Sequence, residues 1–310
     1  MPSRILGELQ KLFVTPTSNR TRAGRLLLAA LGALTMHAHL AGVAPATAQA
    51  VAQALPPGFH SFVPGRDGQK YVRVLSEEAK RNLGAGLAAY MARDYGTANS
   101  MLALPAEEGN IQANWMLAMM YARGMGVEAD MKTAYQIYER MASLYNPEEQ
   151  DRNVRFFMID GLSRLADGLR SGIEEADVKR DRRRALRLYR IAASAGHTNA
   201  QYGLGKMYLG GEGVTKDRSY GMRWLGTAAK KRHSGAAEVL GDVYFESGDT
   251  IRALVWYRIA ADTAGEQQSP RILDKHEQVS GTLNQEQHAT ADQLYNRWTN
   301  RFPAPQQSAN

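Results

Sequence analysis

Cysteine is absent from all 310 residues. That excludes disulfides, thiolate chemistry and a lipid-modified cysteine anchor. No His-x-x-x-His or Glu-x-x-His pair occurs, so the usual helical metal ligands are missing. No Gly-x-Ser-x-Gly, phosphate-loop or dinucleotide fingerprint is present, and Gly203 and Gly205 lie inside a helical stretch where they serve packing. Strand-like alternation is also missing. Ala, Leu, Met, Arg and Glu dominate, all good helix formers, so the chain reads as all-α. The apolar run Leu26–Leu34 is too short to span a bilayer.

What surrounds that run gives it a meaning. Arg20, Arg22 and Arg25 precede it, and the small-residue triplets Ala46-Thr-Ala48 and Ala48-Gln-Ala50 follow. A basic start, a short apolar core and small-x-small sites make residues 1–50 a secretory signal peptide, cleaved on export to the periplasm, with no stable membrane span left behind. The whole chain carries a formal charge of +7. Residues 1–50 hold five Lys/Arg and one Asp/Glu, so the remainder has 33 basic and 30 acidic residues, +3. Such a mild excess does not point to nucleic acid.

Against these absences stands a repeat. Ala200, Leu204, Gly205, Tyr208, Gly211, Gly213 and Asp217 superpose without a gap on Ala113, Leu117, Ala118, Tyr121, Gly124, Gly126 and Asp130. A third copy has Ala236, Leu240, Gly241 and Tyr244, starting 36 residues after Ala200. The first four positions share one helix face, with small residues that let a neighbouring helix approach closely. The Gly-x-Gly-Val stretch breaks the helix, and Asp130 and Asp217 stand where a carboxylate caps the next one. A diverged copy carries Leu165, Leu169, Gly172 and Asp181, the last copy turns at Glu246–Thr250, and an early one runs from Leu87 to a stop at Pro105. About five hairpins result, enough for a stable stack.

These residues carry a resemblance. Leu-Gly-x-x-Tyr-x-x-Gly-x-Gly-Val-x-x-Asp, then Trp-Leu, an Ala-Ala pair and Gly-His, resembles the Sel1-like subclass of the tetratricopeptide superfamily. It is specific over residues 200–236, good over 113–142 and partial elsewhere in 84–262. The resemblance implies an all-α fold, a right-handed α-solenoid of Sel1-like, TPR-like hairpins. Arg170-Ser-Gly172-Ile173, Val178-Lys-x-Asp181, Leu188-Tyr189, Gly210-Gly211-Glu212-Gly213 and Phe245-Glu246-x-Gly248 are further similar to the periplasmic exopolysaccharide-repressor (ExoR-type) family. That likeness implies a non-enzymatic protein, without cofactor or metal. It would bind the periplasmic domain of a sensor histidine kinase and hold it inactive. Two other classes compete: an envelope scaffold for polysaccharide export or secretion, and a cell-wall or β-lactam-active enzyme.

The expected organisation is a signal peptide over 1–50, an irregular lead over 51–76, the solenoid over 77–265, a C-terminal capping region over 266–302 and a disordered tail from 303. After the last repeat Gln267-Gln-Ser-Pro270 marks a break, and Asn284 with Gln287 starts a helix. His197 and His233, at one repeat position, are expected to cap or pack between repeats, with a pH sensor as the alternative. The carboxylate pairs Glu77-Glu78, Glu107-Glu108, Glu148-Glu149 and Glu174-Glu175 sit near helix starts or turns, where solvated acid is ordinary. Two features could serve a partner. Arg183, Arg187 and Arg190 share a helix face, either paired with Glu174, Glu175 and Asp177 or free for an acidic domain or anionic lipid headgroups. The spacing from Leu117 to Leu165 exceeds the period, and the extra chain holds Tyr145, Phe156 and Phe157. It forms either an exposed working loop or a longer helix pair with both phenylalanines inside.

Overall fold

A computed structural model describes residues 62–63, 72–264 and 270–303. The chain divides into two compact units, Met1–Leu75 with Met91–Arg93, and Ser76–Tyr90 with Asp94–Asn310. In the first unit, β1 (Phe62–Val63) pairs antiparallel with β2 (Val72–Arg73), Phe62 opposite Arg73. The lead is thus not wholly irregular. The expected leader, residues 1–50, and the tail beyond residue 303 lie outside the described residues.

The second unit carries hairpin pairs: α1 (Glu77–Met91) and α2 (Tyr95–Glu107), α3 (Ile111–Arg123) and α4 (Met131–Ser143), α5 (Arg152–Ser171) and α6 (Arg182–Ser194). They continue with α7 (Thr198–Gly210) and α8 (Arg218–Lys230), then α9 (Ser234–Glu246) and α10 (Thr250–Ala264). This is the α-solenoid that the repeat implies. Ala113, Leu117, Ala200, Leu204, Ala236 and Leu240 are buried in it, and so are Tyr189 and Tyr257 of the second helices.

Helix boundaries follow the local chemistry. Every second helix starts at an aspartate: Asp94, Asp130, Asp181, Asp217 and Asp249 each accept a hydrogen bond from the backbone N–H three residues on. Gly124, Gly126, Gly211 and Gly213 close the first helices with positive φ, between 65° and 71°. The second glycine of each turn also lies against a helix of the preceding pair. A Cβ on Gly126 would stand 2.4 Å from the carbonyl carbon of Tyr95, and one on Gly213 would stand 2.8 Å from that of Arg182. At two of the junctions an amide ties one pair to the next. Asn114 Nδ2 donates to Ala106 O at 2.7 Å, and its repeat equivalent Gln201 Nε2 donates to Ala193 O at 3.2 Å. Both satisfy carbonyls at the end of the previous second helix.

One boundary differs from expectation. α2 does not stop at Pro105 but runs to Glu107, because Glu108 N–H and Asn110 N–H still find Leu104 O and Pro105 O. Beyond α10, Pro270 is the first residue of α11 (Pro270–Ser280), where a missing N–H costs nothing. α12 (Gln285–Arg301) begins with the full Asn284–Gln287 capping box, and its Trp298 packs on Trp256 of α10 with ring centroids 4.8 Å apart.

Candidate partner-binding surfaces

The excess chain between the second and third pairs is mostly helix. After Ser143 a short loop is pinned by Asn146, which accepts from Glu148 N–H, and by Glu149, which accepts from Asp151 N–H. Asp151 then caps α5, which has 20 residues where its neighbours have 13. The extra turns lie at its start. Phe157 there is buried, 5.1 Å from the ring of Trp115 in α3, and so is no partner contact. Phe156, one residue and about 100° round the helix, is 57% exposed. Its ring meets Phe157 edge-on at 5.5 Å, which fixes its direction. Tyr145 is half-buried in the loop, and Arg152 and Arg155 flank Phe156 on the surface. The segment is thus a longer helix, with Phe157 inside it and Phe156 outside.

One turn further along α5 is a junction that sequence reasoning missed. Asp160 is buried and accepts from Trp115 Nε1 at 2.6 Å, Arg164 Nε at 2.6 Å and His197 Nε2 at 3.1 Å. Burial alone would raise its pKa, but the His197 bond, the Arg164 charge and the Trp115 bond bring it down to about 2. His197 Nδ1 accepts from Ala200 N–H and caps α7, so Nε2 is the nitrogen that carries the proton to Asp160. One carboxylate therefore joins three successive pairs. Its donors are committed to holding the stack, which is a structural role. Nearby, Tyr189 of α6 donates to Asp167 of α5, and burial with that carboxylate pushes the phenol pKa up.

The basic segment of α6 does not pair with Glu174, Glu175 or Asp177 as one reading expected. Its ion pairs reach sideways instead. Arg184 grips Glu139 of α4, with Nη1 to Oε1 at 2.6 Å, and Arg182 lies 3.7 Å from Glu212, which Arg170 of α5 holds at 2.7 Å. Arg190 donates to the Tyr208 hydroxyl. Arg183 and Arg187 are exposed and make no ion pair or hydrogen bond among the described residues.

At the other end, α9, α10 and α11 enclose a pocket of about 280 Å³ lined by Asp242, Phe245, Tyr257 and Lys275 among others. Lys275 bridges Glu238 at 3.0 Å and Asp242 at 2.5 Å. Among the described residues no three His, Asp or Glu side chains gather as a metal site. No described helix is long and apolar enough to cross a membrane.

Comparison with known proteins places this architecture. The Sel1 repeat family matches residues 111–146, 159–197, 198–233 and 239–262. The exopolysaccharide production negative regulator of Rhizobium meliloti (strain 1021) is 32% identical over 188 residues, 60% of this chain and 69% of its own. The protein of the same name from Rhizobium leguminosarum bv. viciae is 32% identical over 191 residues, 61% of this chain and 70% of its own. Among solved structures, a Sel1 repeat protein from Oxalobacter formigenes is 19% identical, spans 66% of this chain and 87% of its own, and has a TM-score of 0.46. With two relatives at this identity over more than two thirds of their length, the chain belongs to the family of Sel1-repeat proteins that contains the exopolysaccharide production negative regulators.

Proposed function

We propose that this protein is exported to the periplasm and restrains exopolysaccharide production by binding the periplasmic domain of a sensor histidine kinase, with no chemistry of its own. The family supports the regulatory half of this reading, and the leader features of residues 1–50 support the location. The observation that carries the binding half is Phe156. A large apolar ring, packed edge-on against Phe157 and flanked by Arg152 and Arg155, has the makeup of an interface anchor. It stands on the seven-residue extension of α5 that the other helices lack.

The test is direct binding of the purified protein to sensor-kinase periplasmic domains. A complex is expected, and Phe156→Ala should weaken it at least tenfold while stability changes by less than about 0.5 kcal/mol. Absence of any such complex, or loss of the gene with unchanged exopolysaccharide, would overturn the reading. Recovery of export or synthase components instead would make the protein a scaffold. Cell fractionation checks the location separately.

A further inference from the structure

The second helices of the three middle pairs share an unusual charge. Together α4, α6 and α8 carry ten Lys/Arg and a single acid, Glu139, which Arg184 neutralises. The first helix α9 is the reverse, with Glu238, Asp242 and Glu246 and no basic residue. An overall excess of only +3 outside residues 1–50 is thus distributed very unevenly.

Position in the repeat gives these charges a common face. Counting from the capping aspartates Asp130, Asp181 and Asp217, the second residue after the cap is Lys132, Arg183 and Ser219, and the sixth is Gln136, Arg187 and Arg223. All six are exposed, while Ala134, Tyr135, Ala185, Leu186 and Gly221 between them are buried. Arg140 extends the same face of α4. The Arg184–Glu139 pair holds α4 and α6 side by side. Lys132, Arg140, Arg183 and Arg187 have no acidic partner among the described residues, and Arg223 only stacks over the Tyr220 ring at 4.8 Å. None of the large exposed hydrophobic side chains stands on these three helices.

From this we infer that the face of α4, α6 and α8 docks on an anionic phospholipid bilayer, with Lys132, Arg140, Arg183, Arg187 and Arg223 against the headgroups. A stable protein interface is built around large apolar anchors, and on this face Tyr220 and Trp224 are half-buried with no large hydrophobic side chain standing exposed. A layer of phosphates needs none: it is broad, negatively charged and tolerant of side-chain position. Arginine forks suit phosphate oxygens.

Vesicle co-sedimentation of the full chain tests this. One set of vesicles is phosphatidylcholine alone, the other an equimolar mixture with phosphatidylglycerol. Binding should appear only with phosphatidylglycerol and fade as salt is raised. Arg183→Gln/Arg187→Gln should weaken it roughly 25-fold, about fivefold per charge. Arg152→Gln/Arg155→Gln, which removes the same charge from the start of α5, should weaken it less than threefold. Residues 1–50 are present in every variant, so their own lipid affinity cancels, and melting curves confirm that each variant is folded. Equal affinity for both vesicles, or equal loss in both double variants, would overturn the assignment. So would capture by poly-glutamate without capture by phosphatidylglycerol, which would mark the face as a site for an acidic protein. The vesicles contain no kinase, so the outcome is independent of the partner proposed above.

Discussion

His197 and His233 occupy one position of the repeat and do one local job. Each accepts a backbone N–H through Nδ1 and starts a first helix, α7 or α9. Their other edges differ. His197 Nε2 reaches the buried Asp160, whereas the His233 ring stacks on Tyr202 with centroids 4.5 Å apart. The repeat dictates the cap, and the neighbouring helix decides everything else. One junction is an ionic knot across three pairs; the other is a ring laid on a ring.

The sharpest way to break that contrast is at the knot. Asp160→Ala strands the Trp115 indole N–H, the Arg164 guanidinium and the His197 N–H together, and should cost about 3–5 kcal/mol in a urea melt. Next comes a packing test away from either histidine. Ala118 and Gly205 are repeat equivalents, yet a Cβ on Gly205 would meet Leu225 Cγ at 2.7 Å and Gly221 O at 3.0 Å. Gly205→Ala should therefore cost about 1–3 kcal/mol, although the repeat elsewhere holds alanine at that place.

Asparagine swaps then compare the histidines directly. Asn110 already caps α3, so an amide can do the local job. His233→Asn should stay within about 1 kcal/mol of the parent, and His197→Asn should lose about 1–2 kcal/mol, because Asp160 is left with one donor fewer. A native gel or thermal scan that ranked the two in the opposite order would show that ring stacking outweighs the carboxylate bond.

Acid titration should give the smallest and most graded effect. Burial lowers the His233 pKa from 6.5, so the folded state disfavours its proton. Its contribution is complete above pH 6.5 and drains away as pH falls through the folded value. Asp160 behaves differently: its contribution is complete above 3.8 and is lost only as pH drops towards about 2. Stability measured against pH should decline in those two separate windows. His233→Asn should shrink the upper one, to which the His276 imidazole, also pushed down by burial, contributes the rest, and leave the lower.

Much of the fold was legible because the repeat states it several times. Ala, Leu, Gly and Tyr at fixed offsets named the buried face, and aspartates and glycines named the helix ends. What remained hidden was information carried by distant residues. Phe156 and Phe157 look alike in sequence; only Trp115, on another helix, decides which of them turns inward. Asp160 is a lone acid in an apolar stretch, and two of its three donors come from 45 residues before and 37 after. Pro270 can end a helix or begin one, and the choice depends on where Ile272 and Val279 find an apolar surface to cover. The unpaired arginines of α6 were visible as a row, but their lack of partners emerged only once Glu139 and Glu212 had been claimed by Arg184 and Arg170.

Gly126 and Gly213 have a meaning beyond their own turns. At both places the peptide of one hairpin sits on the first turn of an older one, in a gap that would not admit a single methyl group. At these two steps the distance by which a layer advances on the last is therefore limited by a missing atom. A side chain there would not leave a local dent. It would push apart every layer that follows, and change how far the two ends of the stack can reach around anything held between them.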